Sequence, residues 1–161
     1  MTGSDPPRTT PEVTIRHAQP SDYARVIQHV NAWWGGREMS PMLPQLFFLH
    51  FESTSFVAER EDGTIAGFLI GFLSQTNADE AYVHFVGVAP AERASGLGHE
   101  LYERFFAAAR EHGRTVVRCV TSPSNEESLA FHAALGFTID RVAADYDGPG
   151  EDRALLVTQL S

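Results

Sequence analysis

The residues best placed to do chemistry form a glycine-containing turn at 93–98, of sequence Arg-Ala-Ser-Gly-Leu-Gly. The turn follows an apolar run at 83–88 and opens an amphipathic segment at 97–109. Its two glycines would let the backbone approach an anion closely, and the unpaired N–H groups and positive dipole end of the following helix would attract that anion. The turn therefore predicts a polyphosphate site, although many helices that bind nothing also begin after glycine-containing loops.

A second pattern, in the last third of the chain, strengthens that interpretation. It reads Asn-x-x-Ser-x-x-Phe-His-x-x-Leu-Gly-Phe and starts a helix just after a predicted strand at 115–121. Together the two patterns resemble the GCN5-related N-acetyltransferases, the GNAT superfamily. The resemblance runs from a first strand at 13–17 to a last strand at 153–160, so only a tail at 1–11 lies outside it. The residues of the second pattern are Asn125, Ser128, Phe131, His132, Leu135, Gly136 and Phe137.

The resemblance implies acetyl-CoA as the cosubstrate. In the family the glycine turn holds the pyrophosphate of coenzyme A, and the second pattern lines the pantetheine arm. The backbone N–H of Val88 would donate to the acyl carbonyl as negative charge develops there. Arg93 would either contact phosphate through its side chain or contribute only its backbone. The expected coenzyme contacts are Val86, Gly87, Val88, Arg93, Ala94, Ser95, Gly96, Leu97, Gly98, His99, Asn125, Ser128, Phe131 and His132.

The chemistry that the resemblance implies is attack of an amine on the thioester of an acyl-CoA. An alkylamine with a pKa of about 10.4 is almost fully protonated at pH 7, so its deprotonation must be assisted. A thiol, with a pKa of about 8.5, is by contrast a tolerable leaving group. A general base should therefore matter more than a general acid.

The candidate base is His84, on the strand before the glycine turn. Side chains alternate across a strand, so Tyr82, His84 and Val86 would share one face. A histidine pKa near 6.5 leaves the imidazole mostly neutral at pH 7, and Tyr82 could hold a water through which the proton moves. Two alternatives remain: His84 is a core histidine beside an ordinary strand aromatic, or Glu80 is the base on that same face.

His132 stands where the family usually has a tyrosine that protonates the leaving sulfur. An imidazole can donate a proton only in its charged form or through tautomerism. His132 is therefore either a general acid, or a side chain that contacts pantetheine or packs the helix. The missing tyrosine also leaves room for another function, a catalytically silent acyl-CoA-binding module that senses or regulates.

The acceptor amine is expected beneath the first two helices and beside an acidic loop. The aromatic residues of those helices lie in a region that covers the acceptor cleft in the family, or else they are core. Arg37 would pair with an acceptor carboxylate, or is a solvated loop residue. The loop at 145–152 would receive a cationic amine, or is only a solvated hairpin. The expected substrate contacts are Trp33, Trp34, Arg37, Tyr82, His84 and Tyr146, with Phe47 and Phe48 as further aromatic candidates.

Composition limits the partners. The chain has 161 residues and a formal net charge of −9, which argues against broad nucleic-acid binding and against docking on an anionic membrane. No apolar stretch approaches the roughly 18 residues of a membrane span, and the tail at 1–11 is typical of a flexible segment and not of a signal peptide, so a cytoplasmic location is expected. The histidines lack metal-ligand spacing, and no metal is predicted.

The elements that must position these residues are predicted in the order β-α-α-β-β-β-α-β-α-β-β. That order indicates an α/β protein with a mixed, mostly antiparallel twisted sheet of about seven strands flanked by four helices. A cleft is expected where the third long strand, at 81–89, diverges from the strand that follows the glycine turn. The second helix is predicted at 41–51, and Ser21 or Asp22 is expected to cap the first. A single domain at 12–161 is expected.

The predicted function is that of an acyl-CoA-dependent N-acyltransferase. It would transfer acetyl from acetyl-CoA to a primary amine of a small molecule or peptide, by direct attack in a ternary complex. The sequence does not identify that amine. Pairing of exposed edge strands would allow a homodimer.

Overall fold

The helices and strands of the computed structural model follow the predicted order. The structure describes residues 12–161, so the predicted tail at 1–11 lies outside the described residues. Three short 3-10 turns, at Ser40–Met42, Glu52–Thr54 and Pro90–Glu92, join the main elements. Those elements are β1 (Val13–His17), α1 (Asp22–Trp33), α2 (Leu46–His50), β2 (Phe56–Arg60), β3 (Ile65–Leu73), β4 (Glu80–Val88), α3 (Leu97–Glu111), β5 (Val116–Thr121), α4 (Glu126–Ala134), β6 (Thr138–Ala143) and β7 (Arg153–Gln159).

The seven strands form one sheet in the order β1-β2-β3-β4-β5-β7-β6. Every neighbouring pair is antiparallel except β4 and β5, which are parallel. These two strands pair only where Glu80–Tyr82 meet Val116–Arg118. Beyond Tyr82 they separate, and no strand of the described residues pairs with β4 on that side. The predicted mixed, mostly antiparallel sheet with a central cleft is confirmed.

Helices cover both faces of the sheet and divide the core in two. On one face, α3 buries Leu101, Tyr102 and Phe105 against β3, β4 and β5, with α4 beside it. On the other face, α1 and α2 bury Trp33 and Phe48. This second core takes no residue from β5, β6 or β7. Within residues 12–161, the sheet beyond β4 is therefore uncovered on the side of α1 and α2.

The predicted helix at 41–51 is shorter than expected. Pro44 separates the 3-10 turn at Ser40–Met42 from α2, which begins at Leu46. Proline disfavours the helical conformation in the residue before it, and Leu43 is non-helical at φ −127° and ψ 70°. The sequence pattern predicted one continuous helix because its apolar spacing runs through Pro44, where the helix cannot continue.

The expected side-chain cap of α1 is absent. The Ser21 side chain makes no capping hydrogen bond, and the Asp22 carboxylate instead accepts from the N–H of Gln19, before the helix. Asp22 is fully buried and receives both Arg16 and Arg25. Asp22 thus ties β1 to α1 and does not satisfy the free N–H groups of the helix.

Candidate active site

The glycine turn presents free backbone donors to open space. Gly96 has φ +84°, a left-handed conformation that favours glycine, and a Cβ added there would meet no atom within 4 Å. No side chain caps α3, and its first hydrogen bond runs from the N–H of Glu100 to the carbonyl of Gly96. The N–H groups of Leu97, Gly98 and His99 therefore have no partner in the helix. This arrangement fits a diphosphate.

Gly98 has a different task from Gly96. A Cβ added at Gly98 would lie 2.8 Å from the ring of Phe131 on α4. Both glycines are predicted from the sequence to admit an anion, but the missing side chain of Gly98 admits the Phe131 ring. Gly98 thereby lets α3 approach α4 closely.

Arg93 is directed away from the open side of the turn. Its guanidinium donates to the carbonyl of Val88, at 3.3 Å from Nε, and to the carbonyl of Trp33 at the end of α1. The sequence analysis offered two roles for Arg93, a side-chain contact with phosphate or a contribution from its backbone alone. The structure shows neither, because the side chain binds two backbone carbonyls. Arg93 holds the end of α1 against the end of β4.

The open edge of β4 offers backbone groups to an extended ligand. The N–H of Ala89 donates to Ala66 on β3, and successive residues of a strand alternate in direction. The N–H groups of Val86 and Val88 and the carbonyl of Val86 consequently face the side from which β5 has separated, while the carbonyl of Val88 accepts from Arg93. The N–H expected to polarise the acyl carbonyl therefore lies on the cleft side.

A β-bulge at His84 changes which side chains share a face. Ile70 pairs with Phe85 and Gly71 pairs with Val83, so His84 is the extra residue of β4. Tyr82 and His84 lie on the face of α1 and α2, whereas Val86 packs with α3 on the other face. The expectation that Tyr82, His84 and Val86 share one face is wrong, because simple alternation ignores the inserted residue.

His84 is held in a fixed orientation and tautomer. Its ring stacks on Phe47 with 4.1 Å between centroids, and Nε2 lies 2.7 Å from the carbonyl oxygen of Met42. A carbonyl only accepts, so Nε2 carries the proton and Nδ1 keeps its lone pair. Burial lowers the pKa of His84, which keeps the ring neutral. The imidazole is thus prepared to accept a proton at Nδ1.

Glu80 and Tyr82 differ sharply as partners for a proton. The Glu80 carboxylate accepts from Nε of Arg118 at 3.0 Å, so it is already occupied by an ion pair. Burial, with smaller contributions from Tyr146 and Asp147, raises the pKa of Tyr82, so its hydroxyl stays protonated. His84 is the better base of the three, and Tyr82 can hold a water beside it.

His132 is built into a buried chain of hydrogen bonds. Nδ1 lies 2.8 Å from the carbonyl oxygen of Ser128, so this nitrogen carries the proton. Nε2 accepts from the hydroxyl of Tyr102 at 2.7 Å, and the Cys119 thiol lies 4.0 Å from that hydroxyl. Burial lowers the pKa of His132 and raises that of Cys119 to about 12. These contacts favour a packing role for His132 over that of a general acid.

The other residues of the second pattern lie where α4 meets β5. The Asn125 side chain caps α4 by accepting from the N–H of Ser128 at 3.1 Å. The hydroxyl of Thr121, at the end of β5, donates to the hydroxyl of Ser128 at 3.1 Å. The first turn of α4 therefore borders the gap between β4 and β5.

The residues predicted to contact the acceptor separate into core and surface. Trp33 and Phe48 are buried, so the core alternative applies to them. Trp34 packs on Phe85 with 4.9 Å between ring centroids, and Arg37 is exposed. Tyr146 is 48% exposed in the β6–β7 loop, which adjoins the end of β5 because Ala154 pairs with Thr121.

The sequence prediction linked neither Met42 nor Phe47 to the candidate base. Met42 acts through its backbone carbonyl, which every residue possesses, so no side-chain pattern could identify it. Phe47 appeared only as a possible acceptor contact, and its stacking on His84 depends on where Pro44 ends the preceding turn.

Within the described residues, no helix is long and apolar enough to cross a membrane. The same part of the chain holds no cluster of three side chains of the kinds that bind metal ions.

Comparison with known proteins gives partial matches among curated relatives. The L-2,4-diaminobutyric acid acetyltransferase of Nocardia farcinica is 38% identical over 85 residues, which are 53% of this chain and 44% of that protein. The 5-NmdU N-acetyltransferase of Pseudomonas phage PaMx11 is 39% identical over 83 residues, 52% of this chain and 56% of that protein. The chain spans about half the length of the curated relatives it matches.

Solved structures match over almost the whole chain. A diaminobutyrate acetyltransferase from Paenibacillus lautus, in complex with L-2,4-diaminobutyric acid and coenzyme A, superposes with a TM-score of 0.76 at 23% identity, covering 92% of this chain and 95% of that one. A GNAT-family protein from Desulfovibrio desulfuricans has a TM-score of 0.80 at 19% identity, covering 93% and 100%. These likenesses show the fold. Residues 23–137 match the model of the Acetyltransferase (GNAT) family, and the chain belongs to that family.

Proposed function

We propose that the chain is an acetyl-CoA-dependent N-acetyltransferase that acts on a primary amine. The observation that carries this proposal is the position of His84, a neutral imidazole with a free Nδ1 on the strand that ends at the glycine turn. The donors at the start of α3 would hold the pyrophosphate, and the open edge of β4 would hold the pantetheine arm. Acetyl-CoA would supply an acetyl thioester to this cleft.

In the proposed reaction, Nδ1 of His84 takes one proton from the acceptor ammonium, directly or through a water beside Tyr82. The N–H of Val88 donates to the acyl oxygen as negative charge builds on it. A bond forms between the amine nitrogen and the acyl carbon, and the bond from that carbon to sulfur breaks with its electron pair on sulfur. The second amine proton neutralises the thiolate, and His84 returns the first to solvent.

A dedicated general acid is unnecessary in this scheme. A thiol with a pKa of about 8.5 leaves readily as the thiolate. His132 has its single ring proton committed to the carbonyl of Ser128, and its pKa is lowered, so it supplies no acid at neutral pH. The tyrosine usual in the family can thus be absent without loss of the reaction.

The relatives support transfer to nitrogen. Two curated matches are named as an L-2,4-diaminobutyric acid acetyltransferase and a 5-NmdU N-acetyltransferase, and the second name specifies transfer to nitrogen. A solved structure of the same fold, nourseothricin acetyltransferase, is 27% identical over 66% of this chain, with a TM-score of 0.61. Their acceptors differ widely, so they support the reaction type and not one substrate.

The test begins with calorimetric titration of acetyl-CoA into the protein and into Gly96→Glu, whose side chain and charge would fill the turn. Saturable binding that is lost in the variant is the expected result. Thiol release is then followed with a panel of primary amines, for the unchanged protein, His84→Ala and the control His50→Ala. His84→Ala should lower kcat by about 10²–10⁴-fold. If the protein bound acetyl-CoA but released no thiol with any amine, only the alternative function, a silent acyl-CoA-binding module, would be left.

A cytoplasmic location and a homodimer remain proposals from the sequence. In the sheet of the described residues, β1 and β6 form the two edges, where a second copy would pair. Light scattering of the purified protein tests the dimer, and a monomer at micromolar concentration would exclude it under those conditions.

A further inference from the structure

Five aromatic rings beside the candidate base form a continuous, partly exposed row. The centroids lie 4.1 Å apart for His84 and Phe47, 5.3 Å for Phe47 and Phe51, 5.6 Å for Phe51 and Phe72, and 5.3 Å for Phe72 and Tyr82. None of the five is fully buried, unlike Phe48 and Phe68 under α1 and α2. The aromatic row consists of His84, Phe47, Phe51, Phe72 and Tyr82.

Further apolar side chains lie on both sides of the aromatic row. Tyr82 pairs with Arg118, and on the same uncovered face of the sheet Val120 and Leu155 are only half-buried. On the side of α2, Met42 is 43% and Leu46 is 46% exposed. Contiguous exposed apolar surface is uncommon on a soluble domain and usually marks a binding site. The surface borders the base, so its ligand is the acceptor.

Charge at the far rim of the cleft favours a cation. The β6–β7 loop carries four carboxylates, Asp145, Asp147, Glu151 and Asp152, against one guanidinium, Arg153, which leaves three negative charges. Arg153 pairs with Asp147 at 2.8 Å and with Glu151 at 3.3 Å. The loop lies at the open end of the cleft, because Ala154, just after it, pairs with Thr121 at the end of β5 that has separated from β4.

Two guanidinium groups at the cleft, those of Arg118 and Arg93, are already engaged. Arg118 pairs with Glu80 at 3.0 Å and with Asp140 at 3.4 Å, and Arg93 donates to two backbone carbonyls. An acceptor carboxylate would therefore meet the acidic loop without gaining a strong partner beside the aromatic row. The cleft thus offers an acceptor apolar contacts along the aromatic row and negative charge at the β6–β7 loop.

From this combination we infer that the acceptor is a primary monoamine on an apolar, ring-bearing skeleton without a carboxylate. The inference rests on the proposed function. The skeleton packs along the aromatic row, and the ammonium lies between Nδ1 of His84 and the acidic loop. Ring faces also attract ammonium groups electrostatically, which adds to this preference. The acceptor class thus differs from the diamino acid named for one relative.

The test compares kcat/KM for 2-phenylethylamine, ethylamine and L-2,4-diaminobutyrate with saturating acetyl-CoA. We expect 2-phenylethylamine to exceed both others at least about tenfold, a typical discrimination for a ring that fills an apolar site. Equal or better use of L-2,4-diaminobutyrate would overturn the inference and leave the proposed function intact. If none of the amines supported thiol release, both the inference and the proposed function would be overturned.

Variants locate the preference in the aromatic row. Phe51→Leu removes a ring that does not touch His84, and we expect the ratio of kcat/KM for 2-phenylethylamine over ethylamine to fall about tenfold. Phe106→Leu, which removes a ring on the opposite face under α3, is the matched control and should preserve that ratio. Unchanged acetyl-CoA affinity shows that each variant is folded. An equal ratio in Phe51→Leu and Phe106→Leu would contradict the inference.

Discussion

The Nε2 atom of His84 lies 2.7 Å from the carbonyl oxygen of Met42, although the two residues are separated by a turn, α2 and two strands. This contact determines which ring nitrogen is basic. The carbonyl accepts the Nε2 proton, so Nδ1 is left with the lone pair that the reaction needs. A residue outside the sheet thereby controls the protonation of a residue on β4.

The pH dependence of kcat/KM follows from that contact. Burial lowers the pKa of His84, and the base works only when neutral, so activity should fall on the acid side with a midpoint below 6.5. A pH profile from 5 to 9 with a slow amine measures this midpoint. Met42→Ala keeps the carbonyl and should keep the profile. A midpoint above 6.5 would contradict the assignment of His84.

Gly98→Ala should destabilise the protein through one contact. The added methyl group would lie 2.8 Å from the Phe131 ring, and overpacking of this kind costs about 1–3 kcal/mol of unfolding free energy. Phe131→Leu in the same chain should recover most of that loss. Gly96→Ala is the control, since it meets no neighbour and loses only about 1–2 kcal/mol to its left-handed backbone. Urea denaturation measures the unchanged protein, the three single variants, and each glycine variant combined with Phe131→Leu.

Equal recovery of Gly96→Ala and Gly98→Ala by Phe131→Leu would show that the Phe131 contact is not the cause. Such a result would remove the packing role from Gly98 and return it to the role of an anion contact.

Local patterns were enough to predict the cleft, because each of its parts has its own signal. The glycine turn, the periodic face of α3 and the Asn125 cap of α4 are all encoded within a few residues. The bulge at His84 has no such signal, since it depends on how β4 aligns with β3. Helical spacing predicted that Trp33 shares a face of α1 with other apolar residues. It did not indicate whether that face packs on the sheet or borders the acceptor cleft.

Tyr102→Phe should cost about 1–3 kcal/mol of unfolding free energy, because it leaves buried Nε2 of His132 without its donor. The matched double variant with His132→Phe tests the pairing. If the hydroxyl and the imidazole stabilise each other, the effects of the single variants will not add. Additive effects in calorimetric or urea unfolding would show that the 2.7 Å contact contributes nothing.

His132 should also make stability sensitive to mild acid. Burial lowers its pKa in the folded chain, so the unfolded chain binds a proton first as pH falls below about 6.5. Stability is therefore fully present above that pH and declines below it. His132→Phe should reduce the loss of unfolding free energy between pH 6.5 and 5. The part of that loss that comes from His84 should remain. An unchanged slope would contradict the neutral, buried state of His132.

Asp22 should make the largest single electrostatic contribution to the joint between β1 and α1. Its carboxylate is fully buried and accepts from Arg16 at 2.8 Å, from Arg25 at 2.8 Å and from the N–H of Gln19 at 2.8 Å. Loss of one partner from a buried ion pair leaves the other charges uncompensated. Asp22→Ala should lower the unfolding free energy by about 2–3 kcal/mol, less than in a dry interior because solvent reaches both arginines.

The same carboxylate adds a dependence on strong acid. Burial alone would raise the pKa of Asp22, but the hydrogen bonds from Arg16, Gln19 and Arg25 lower it on balance. Its contribution is thus present above the ordinary pKa of 3.8 and is lost as pH falls through the lower folded value. Asp79→Asn, at an exposed carboxylate, is the control and should change stability by less than about 0.5 kcal/mol. Equal unfolding midpoints for Asp22→Ala and Asp79→Asn would show that β1 and α1 are joined by apolar packing alone.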